Sequence, residues 1–349
     1  MQENTKYDIF FLIDGGIGNV LECLYAVEYC IVNKKKTGLY IKNLSKSFVE
    51  FLRKSYGAHV VLGSLENLTT TNLIHSFTFY DNFDLEYDYY FYVQPDNLST
   101  RYLSETEQYL SIVKALYPSE YASDTLQFLT EDYSDKVKRV EPERKVVLYP
   151  GCSAAFSSKK WPYFMELMNK VGVASTLLLG STEDTNFNYS YFYPNWISKV
   201  VPQKILNWQS FYNVLKKLGL LQKHAHYKGM DKMENTFFNH FSWEELVAIF
   251  RRCWFFVGND GGLMHLAACC GARGKAIFGP TSVEKNVPYS KAMEVVALNL
   301  DCQPCSLRAT GINYAPGIIA CPNQLTCLYS ISVETIYRGI PSFRSNSGT

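Results

Sequence analysis

Short apolar runs, each closed by a glycine turn and followed by a helical repeat, recur along this chain. Residues 7–13 (Tyr-Asp-Ile-Phe-Phe-Leu-Ile) form an apolar run of strand length, and Asp14-Gly15-Gly16-Ile17-Gly18-Asn19 follows as a glycine turn. Val20, Leu21, Leu24, Val27 and Ile31 then fall on one helix face. Residues 38–41 read as a second strand, 48–54 as part of a second helix, and 59–62 and 87–93 as further strands. The charge-dense stretch 131–144 reads as a linker. Beyond it the pattern restarts: strand 146–149, the turn Pro150-Gly151-Cys152-Ser153, helix 161–171, and strand 176–179 ending at Gly180-Ser181-Thr182. Helix 243–251, strand 254–257, an acidic glycine turn, a small-residue helix and strand 276–278 complete it. Such alternation predicts an α/β protein with parallel sheets and helices on both faces. Two Rossmann-like domains facing across a cleft are expected, over residues 1–143 and 144–335, with a polar tail at 336–349. Ligands in such sheets bind at the carboxyl ends of the strands, where the glycine turns after Ile13, Tyr149, Leu179, Val257 and Phe278 lie.

Composition narrows the picture. The 349 residues are 47% hydrophobic and 19% charged, a globular balance. A net charge of +1 gives no electrostatic reason to expect nucleic acid or an anionic membrane as partner. No apolar run reaches the roughly 18 residues of a transmembrane segment, and the polar start with its short apolar run does not resemble a secretory signal. A cytoplasmic protein is the expectation. In that reducing setting disulfides are disfavoured, so Cys23, Cys30, Cys152, Cys253, Cys269 and Cys270 read as small buried hydrophobes. The aromatic run 87–92 reads as a half-buried strand rather than a stacking platform. Residues 186–239 are aromatic and irregular and receive no assignment.

Two segments carry chemistry. In Gly258-Asn259-Asp260-Gly261-Gly262-Leu263-Met264-His265, a strand passes through an acidic glycine turn into a helix. Backbone N–H groups at a helix N-terminus attract anions, with Asp260 and His265 beside them. The second segment is Cys302-x2-Cys305-x15-Cys321-x5-Cys327, four thiols in a loop bearing Pro and Gly. They either surround one tetrahedral metal, iron or zinc, or serve as core filler or occasional disulfides.

The order of these motifs resembles glycosyltransferase family nine, the heptosyltransferase-like enzymes of the GT-B fold. Three segments carry the resemblance: Gly15 to Asn19, Tyr149-Pro150-Gly151-Cys152 through Lys159-Lys160-Trp161-Pro162, and residues 258–268 continued by Phe278-Gly279-Pro280-Thr281. The resemblance implies an inverting transfer, without catalytic metal, of a sugar from a nucleotide-diphosphate donor to an acceptor hydroxyl. ADP-heptose is the first choice of donor, and a glycan or a protein the acceptor. It assigns Lys159 to the departing diphosphate and Asp260 to the donor's sugar hydroxyls. Ser153, Gly261, Gly262, His265 and Thr281 join Asp260 at the donor site, and Gly16, Gly18 and Asn19 form the acceptor-side loop. Each has a plainer role available: solvated lysine, N-cap, packed histidine, turn residue. Trp161 and Pro162 read as structural, starting their helix. Two departures stand out. The family often has Thr or Ser where Gly261 stands. Many members carry an aspartate, proposed as the base, where this chain has Asn19, and an amide cannot be that base. Asp14 on the same loop is the alternative base, together with an acceptor that needs little base help because a strongly dissociating sugar centre tolerates a weak nucleophile. Some relatives carry a four-cysteine iron-binding finger, which implies a structural metal here. The other reading is a catalytically silent nucleotide-sugar-binding or assembly module.

Overall fold

The apolar run nearest the N-terminus becomes the inner strand of a parallel sheet. In the computed structural model, β1 (Thr5–Asp14) lies between β2 (Thr37–Lys42) and β3 (Leu68–Ser76), and β4 (Leu85–Val93) forms an edge, giving the order β2-β1-β3-β4. Residues described are 5–63, 65–66, 68–76, 85–93, 103–152, 158–181, 189–192, 217–218, 222–225, 236–305, 313–315, 318–319, 321 and 323–342. Ile9 to Ile13 are wholly buried, as an apolar strand covered on both faces must be.

Two expectations for this half need correction. Residues 59–62 do not form a strand; Gly57–His59 is a 3-10 turn, and Val60 makes a lone bridge to Leu39. The third strand is instead the threonine-rich β3. Its buried Asn72 Nδ2 donates to Asp8 O (3.1 Å) and Tyr117 Oη (2.9 Å), which offsets the cost of a polar residue inside. The aromatic strand β4 is not half-buried: Tyr87, Tyr89, Tyr90 and Tyr92 are 40–62% exposed. It is an edge strand with both faces largely open.

The second sheet has the order β12-β11-β10-β5-β6-β9, parallel throughout. Its strands are β5 (Val146–Tyr149), β6 (Thr176–Gly180), β9 (Thr236–Phe238), β10 (Phe255–Asn259), β11 (Gly274–Ile277) and β12 (Met293–Val296). A small third sheet, ordered β13-β14-β7-β8, joins β7 (Tyr189–Phe192), β8 (Gln222–Ala225), β13 (Asn313–Ala315) and β14 (Ile318–Ile319). The unassigned region 186–239 thus supplies β7, β8 and β9.

Helix α1 (Ile17–Val32) is buried on every side from Val20 to Cys30, more than one apolar face required. Helix α2 (Lys46–Tyr56) follows, and α3 (Glu105–Leu116) starts at a capping box in which Ser104 and Glu107 satisfy each other's backbone N–H groups. The stretch expected as linker holds a short helix, α4 (Asp135–Val140), anchored by the buried Val137. Next come α5 (Phe164–Val171) and α6 (Trp243–Arg252), the latter with a capping box from Ser242 and Glu245. Then α7 (Gly262–Cys269), α8 (Val283–Asn286), α9 (Thr326–Tyr329) and α10 (Val333–Tyr337) complete the set described. No helix among the described residues is long and apolar enough to cross a membrane.

Two contacts hold the sheets in register. Trp243 of α6 packs edge-on against Phe48 of α2, ring centroids 4.8 Å apart, beside the Lys54–Glu244 ion pair at 2.5 Å. The N-terminal ends of α1 and α7 meet through glycines: a Cβ on Gly18 would stand 3.0 Å from His265 Cδ2, and one on Gly262 3.1 Å from Ile17 Cβ. Close approach is what Gly supplies here.

Trp161 precedes α5 rather than starting it. Its indole is fully buried, donates to Ile331 O (2.9 Å) and packs edge-on to Phe164. Trp161→Ala is expected to cost about 3–5 kcal/mol, as truncation of a buried Trp does. A urea-unfolding midpoint unchanged from wild type would refute this role.

Candidate active site

The glycine turns after Ile13, Tyr149, Leu179 and Val257 converge on one cavity of about 870 Å³ between the first and second sheets. That volume lies within the range of pockets that enclose a small organic ligand. Gly16, Gly18 and Asn19 line one wall; Lys159, Asp260, Gly261, Gly262 and His265 line the other. The structure thus brings together eight of the residues singled out in the sequence.

The donor-side wall is built on β10. Its last residue, Asn259, is fully buried and works as a clamp. Asn259 Oδ1 accepts from Trp161 N (3.0 Å), and Nδ2 donates to Pro150 O (2.8 Å). This ties the loop carrying Lys159 to the end of β10. Lys159 Nζ then lies 2.9 Å from Asp260 Oδ2, with both side chains almost out of water. Asn286 Nδ2 also donates to Oδ2, at 3.4 Å. Burial pushes the Asp260 carboxyl up, but the Lys159 ammonium outweighs it and holds the group below the usual carboxylate range.

Helix α7 begins directly after Asp260 with Gly261 as its N-cap and no side-chain hydrogen bond capping its end. A Cβ on Gly261 would stand 3.2 Å from Tyr149 Oη, so the Thr or Ser of the family has little room here. His265, one turn in, is buried, and burial lowers its pKa to about 4. It is a neutral imidazole near pH 7. Thr281 is buried and is not among the residues lining the cavity.

On the acceptor side, Asn19 is fully engaged. Its Oδ1 accepts from Gly16 N (3.1 Å), and its Nδ2 donates to both oxygens of Glu105, at 3.3 and 3.1 Å. An aspartate here would set two carboxylates against each other, which explains the amide physically. Asp14 is placed elsewhere than expected: its carboxylate accepts from Asn43 Nδ2 at 3.1 Å, and it is not among the residues lining the cavity. Ser153 lies outside the described residues.

The sequence reading missed three charged groups. Glu22 and Lys285 line the cavity, and Glu105 lies buried behind Asn19. Glu22 Oε1 is sealed from solvent without a hydrogen bond, 4.0 Å from His265 Nδ1. Burial raises its pKa well above the usual value; the charges of Glu105 and Asp260 add to this, and Lys285 and Lys159 partly offset it. Burial likewise raises Glu105, against the pull of Lys285 and the Asn19 bond. The available signal was the near-continuous apolar character of α1, which leaves its glutamates no exposed face.

The four cysteines of the loop come together. Cys302, Cys305, Cys321 and Cys327 line one small cavity of about 20 Å³, roughly the room of one water-sized atom. Leu325 N donates to Cys321 Sγ (3.3 Å) and Asn323 Nδ2 to Cys302 Sγ (3.6 Å). As they stand, no three metal-ligating side chains among the described residues are disposed around an ion.

Glutamine in place of Glu22 gives a pH-dependent stability change. The folded pKa lies above the ordinary 4.5, so the stability this carboxyl contributes is present below that value and is lost as pH rises through the folded pKa. Glu22→Gln mimics the protonated form and escapes the loss. Its melting temperature should exceed that of wild type at pH 8, with the gap closing towards pH 4; a gap independent of pH would contradict the raised pKa.

Comparison with known proteins agrees with this geometry. Glycosyltransferase family 9 (heptosyltransferase) matches residues 222–313. The lipooligosaccharide heptosyltransferase 2 of Campylobacter jejuni is 41% identical over 54 residues, 15% of this chain and 17% of that protein, so the match spans less than a fifth of this curated relative. The fold is similar to that of the E. coli ADP-heptose LPS heptosyltransferase II, with a TM-score of 0.57 and 13% identity, covering 95% of this chain and 96% of that one. A family 9 glycosyltransferase of Veillonella parvula gives 0.57 and 12%, over 97% and 96% of the two chains. The iron-containing dodecameric glycosyltransferase TibC of enterotoxigenic E. coli gives 0.51 and 13%, over 97% and 76%. The chain has the GT-B fold and resembles glycosyltransferase family 9, the heptosyltransferases, in sequence over residues 222–313.

Proposed function

We propose that this chain is an inverting glycosyltransferase that moves a sugar from a nucleotide-diphosphate donor to a hydroxyl of a glycan or protein. The observation that carries the reading is the buried Lys159–Asp260 pair at the N-terminus of α7, facing the glycine loop of α1 across the cavity. ADP-heptose is the donor of choice, because the E. coli relative is named for it and TibC is described in complex with ADP-D-beta-D-heptose.

The donor's diphosphate lies against the N-terminus of α7, where backbone N–H groups and the helix dipole favour negative charge. Lys159 neutralises the charge that builds as the sugar–phosphate bond breaks, a stabilisation worth most in a water-poor cleft. Asp260 holds Lys159 and accepts hydrogen bonds from the sugar hydroxyls. The acceptor enters from the side of Gly16 and Gly18, opposite the donor wall, so its oxygen meets the anomeric carbon on the face away from the leaving group. That geometry inverts the anomeric centre. Lys159, Lys285 and the N-termini of α1 and α7 set positive groups on the cleft beside the carboxylates of Asp260 and Glu22.

Cys302, Cys305, Cys321 and Cys327 would hold a structural metal, iron or zinc, once their thiols draw together around it. All four are soft thiol donors on one atom-sized cavity, the chemistry that tetrahedral sulfur sites use. The metal would tighten the loop that Cys305 N already ties to Pro280 O (2.9 Å), behind the donor wall.

In a thermal-shift screen of ADP, UDP, GDP and their sugars, ADP compounds should stabilise the chain by about 2.7 kcal/mol at 100 times the dissociation constant. Lys159→Ala should lower turnover by roughly 10²–10³-fold, the usual loss of one leaving-group stabiliser. No shift with any nucleotide would remove the donor site from consideration. Metal analysis of the purified chain should find one iron or zinc, released in Cys321→Ser with a lower melting temperature; metal-free protein with unchanged stability would exclude the finger.

A further inference from the structure

Helix α1 carries two buried glutamates with opposite surroundings. Glu28 is satisfied: Tyr56 Oη donates at 2.7 Å, Gln127 N at 2.8 Å and Phe128 N at 2.9 Å. It is a structural carboxylate that pins the segment after α3 to α1. Glu22, also on α1, lines the cavity, and its Oε1 has no hydrogen-bond partner. A buried polar atom without a partner is costly, and at Glu22 it coincides with a place on the cavity wall. Its position is also suited to chemistry. Glu22 lies one turn along α1 from Asn19 and 4.0 Å from His265 on the donor wall, about 1 Å beyond hydrogen-bond range.

We propose that Glu22 is the general base of this site, taking the proton of the acceptor hydroxyl as its oxygen bonds to the donor's anomeric carbon. The inference rests on the transferase reading above and names the base that reading leaves open. In the step, the acceptor O–H bond breaks and its proton passes to the Glu22 carboxylate. The new O–C bond forms at the anomeric carbon while the bond to the diphosphate oxygen breaks. That electron pair leaves with the diphosphate, beside Lys159. The proton returns to solvent when the cleft opens.

The surrounding charges suit this task. Glu105 on α3 and Asp260 before α7 face Glu22 as negative charges, Lys285 on α8 and Lys159 face it as positive ones, and His265 beside it is neutral. Burial and the two carboxylates strengthen Glu22 as a proton acceptor beyond an ordinary glutamate. Asn19 is an amide and Asp14 is not among the residues lining the cavity, so neither competes for the role.

The test uses the full chain with ADP-heptose as donor and glycerol as the hydroxyl probe, following ADP release and the glyceryl glycoside by mass. Glu22→Gln should lose about 10²-fold or more in kcat while keeping its thermal shift with ADP, and Glu22→Asp should retain part of the rate. Glu105→Gln removes a negative charge facing Glu22, so the acidic limb of its pH–rate profile should move to lower pH. A purely structural Glu22 would not couple to Glu105 in this way. Glu22→Gln turnover within threefold of wild type, or an acidic limb unmoved in Glu105→Gln, would overturn the assignment and leave the transferase reading intact. Wild-type protein that neither binds ADP nor releases it from the donor would overturn both.

Discussion

The ion pair between Lys159 and Asp260 is the constraint around which this site is organised. Its two charges sit almost entirely out of water, 2.9 Å apart, at the end of β10. Losing either partner would strand a buried charge, a penalty of about 3–5 kcal/mol. The pair therefore demands that the loop after β5 and the turn after β10 be locked together. Asn259 does the locking, with its side chain bonded to Trp161 N and Pro150 O. From that clamp follow the direction of α7, the place of His265 and the floor of the cavity.

Across the cavity α1 carries a second buried carboxylate in a different setting. Glu28 shows how α1 satisfies a buried acid when stability is the purpose, with three donors. Glu22 shows the contrary arrangement, an acid kept near two other carboxylates and short of partners. Gly18 and Gly262 make the close packing possible, since a Cβ on either would press on the facing helix.

The alternation of strands and glycine turns was legible because each strand of a covered parallel sheet is a short apolar run, and β1, β5, β6 and β10 all are. It failed at β3, whose threonines and Asn72 look like loop until Tyr117 and Asp8 supply partners from distant sequence. It failed at β4 in the other direction: aromatic residues promise burial, but the tyrosines of this edge strand stay largely exposed. The donor wall was readable as a motif because Asp260, Gly261, Gly262 and His265 are neighbours in sequence. Glu105 was not, since 86 residues separate it from the Asn19 amide it holds.

The sequence by itself determined the α/β character, the glycine turns at strand ends and the residue types of the donor wall, because these depend on local periodicity and on backbone freedom within a few residues. The tertiary structure alone decided which charges meet. It brought Lys159 onto Asp260, set Glu105 behind Asn19, left Asp14 with Asn43, and turned Glu22 into the cavity. The physical reason is that a carboxylate's chemistry is set by its burial and its charged neighbours, and those neighbours come from elements far apart in the chain.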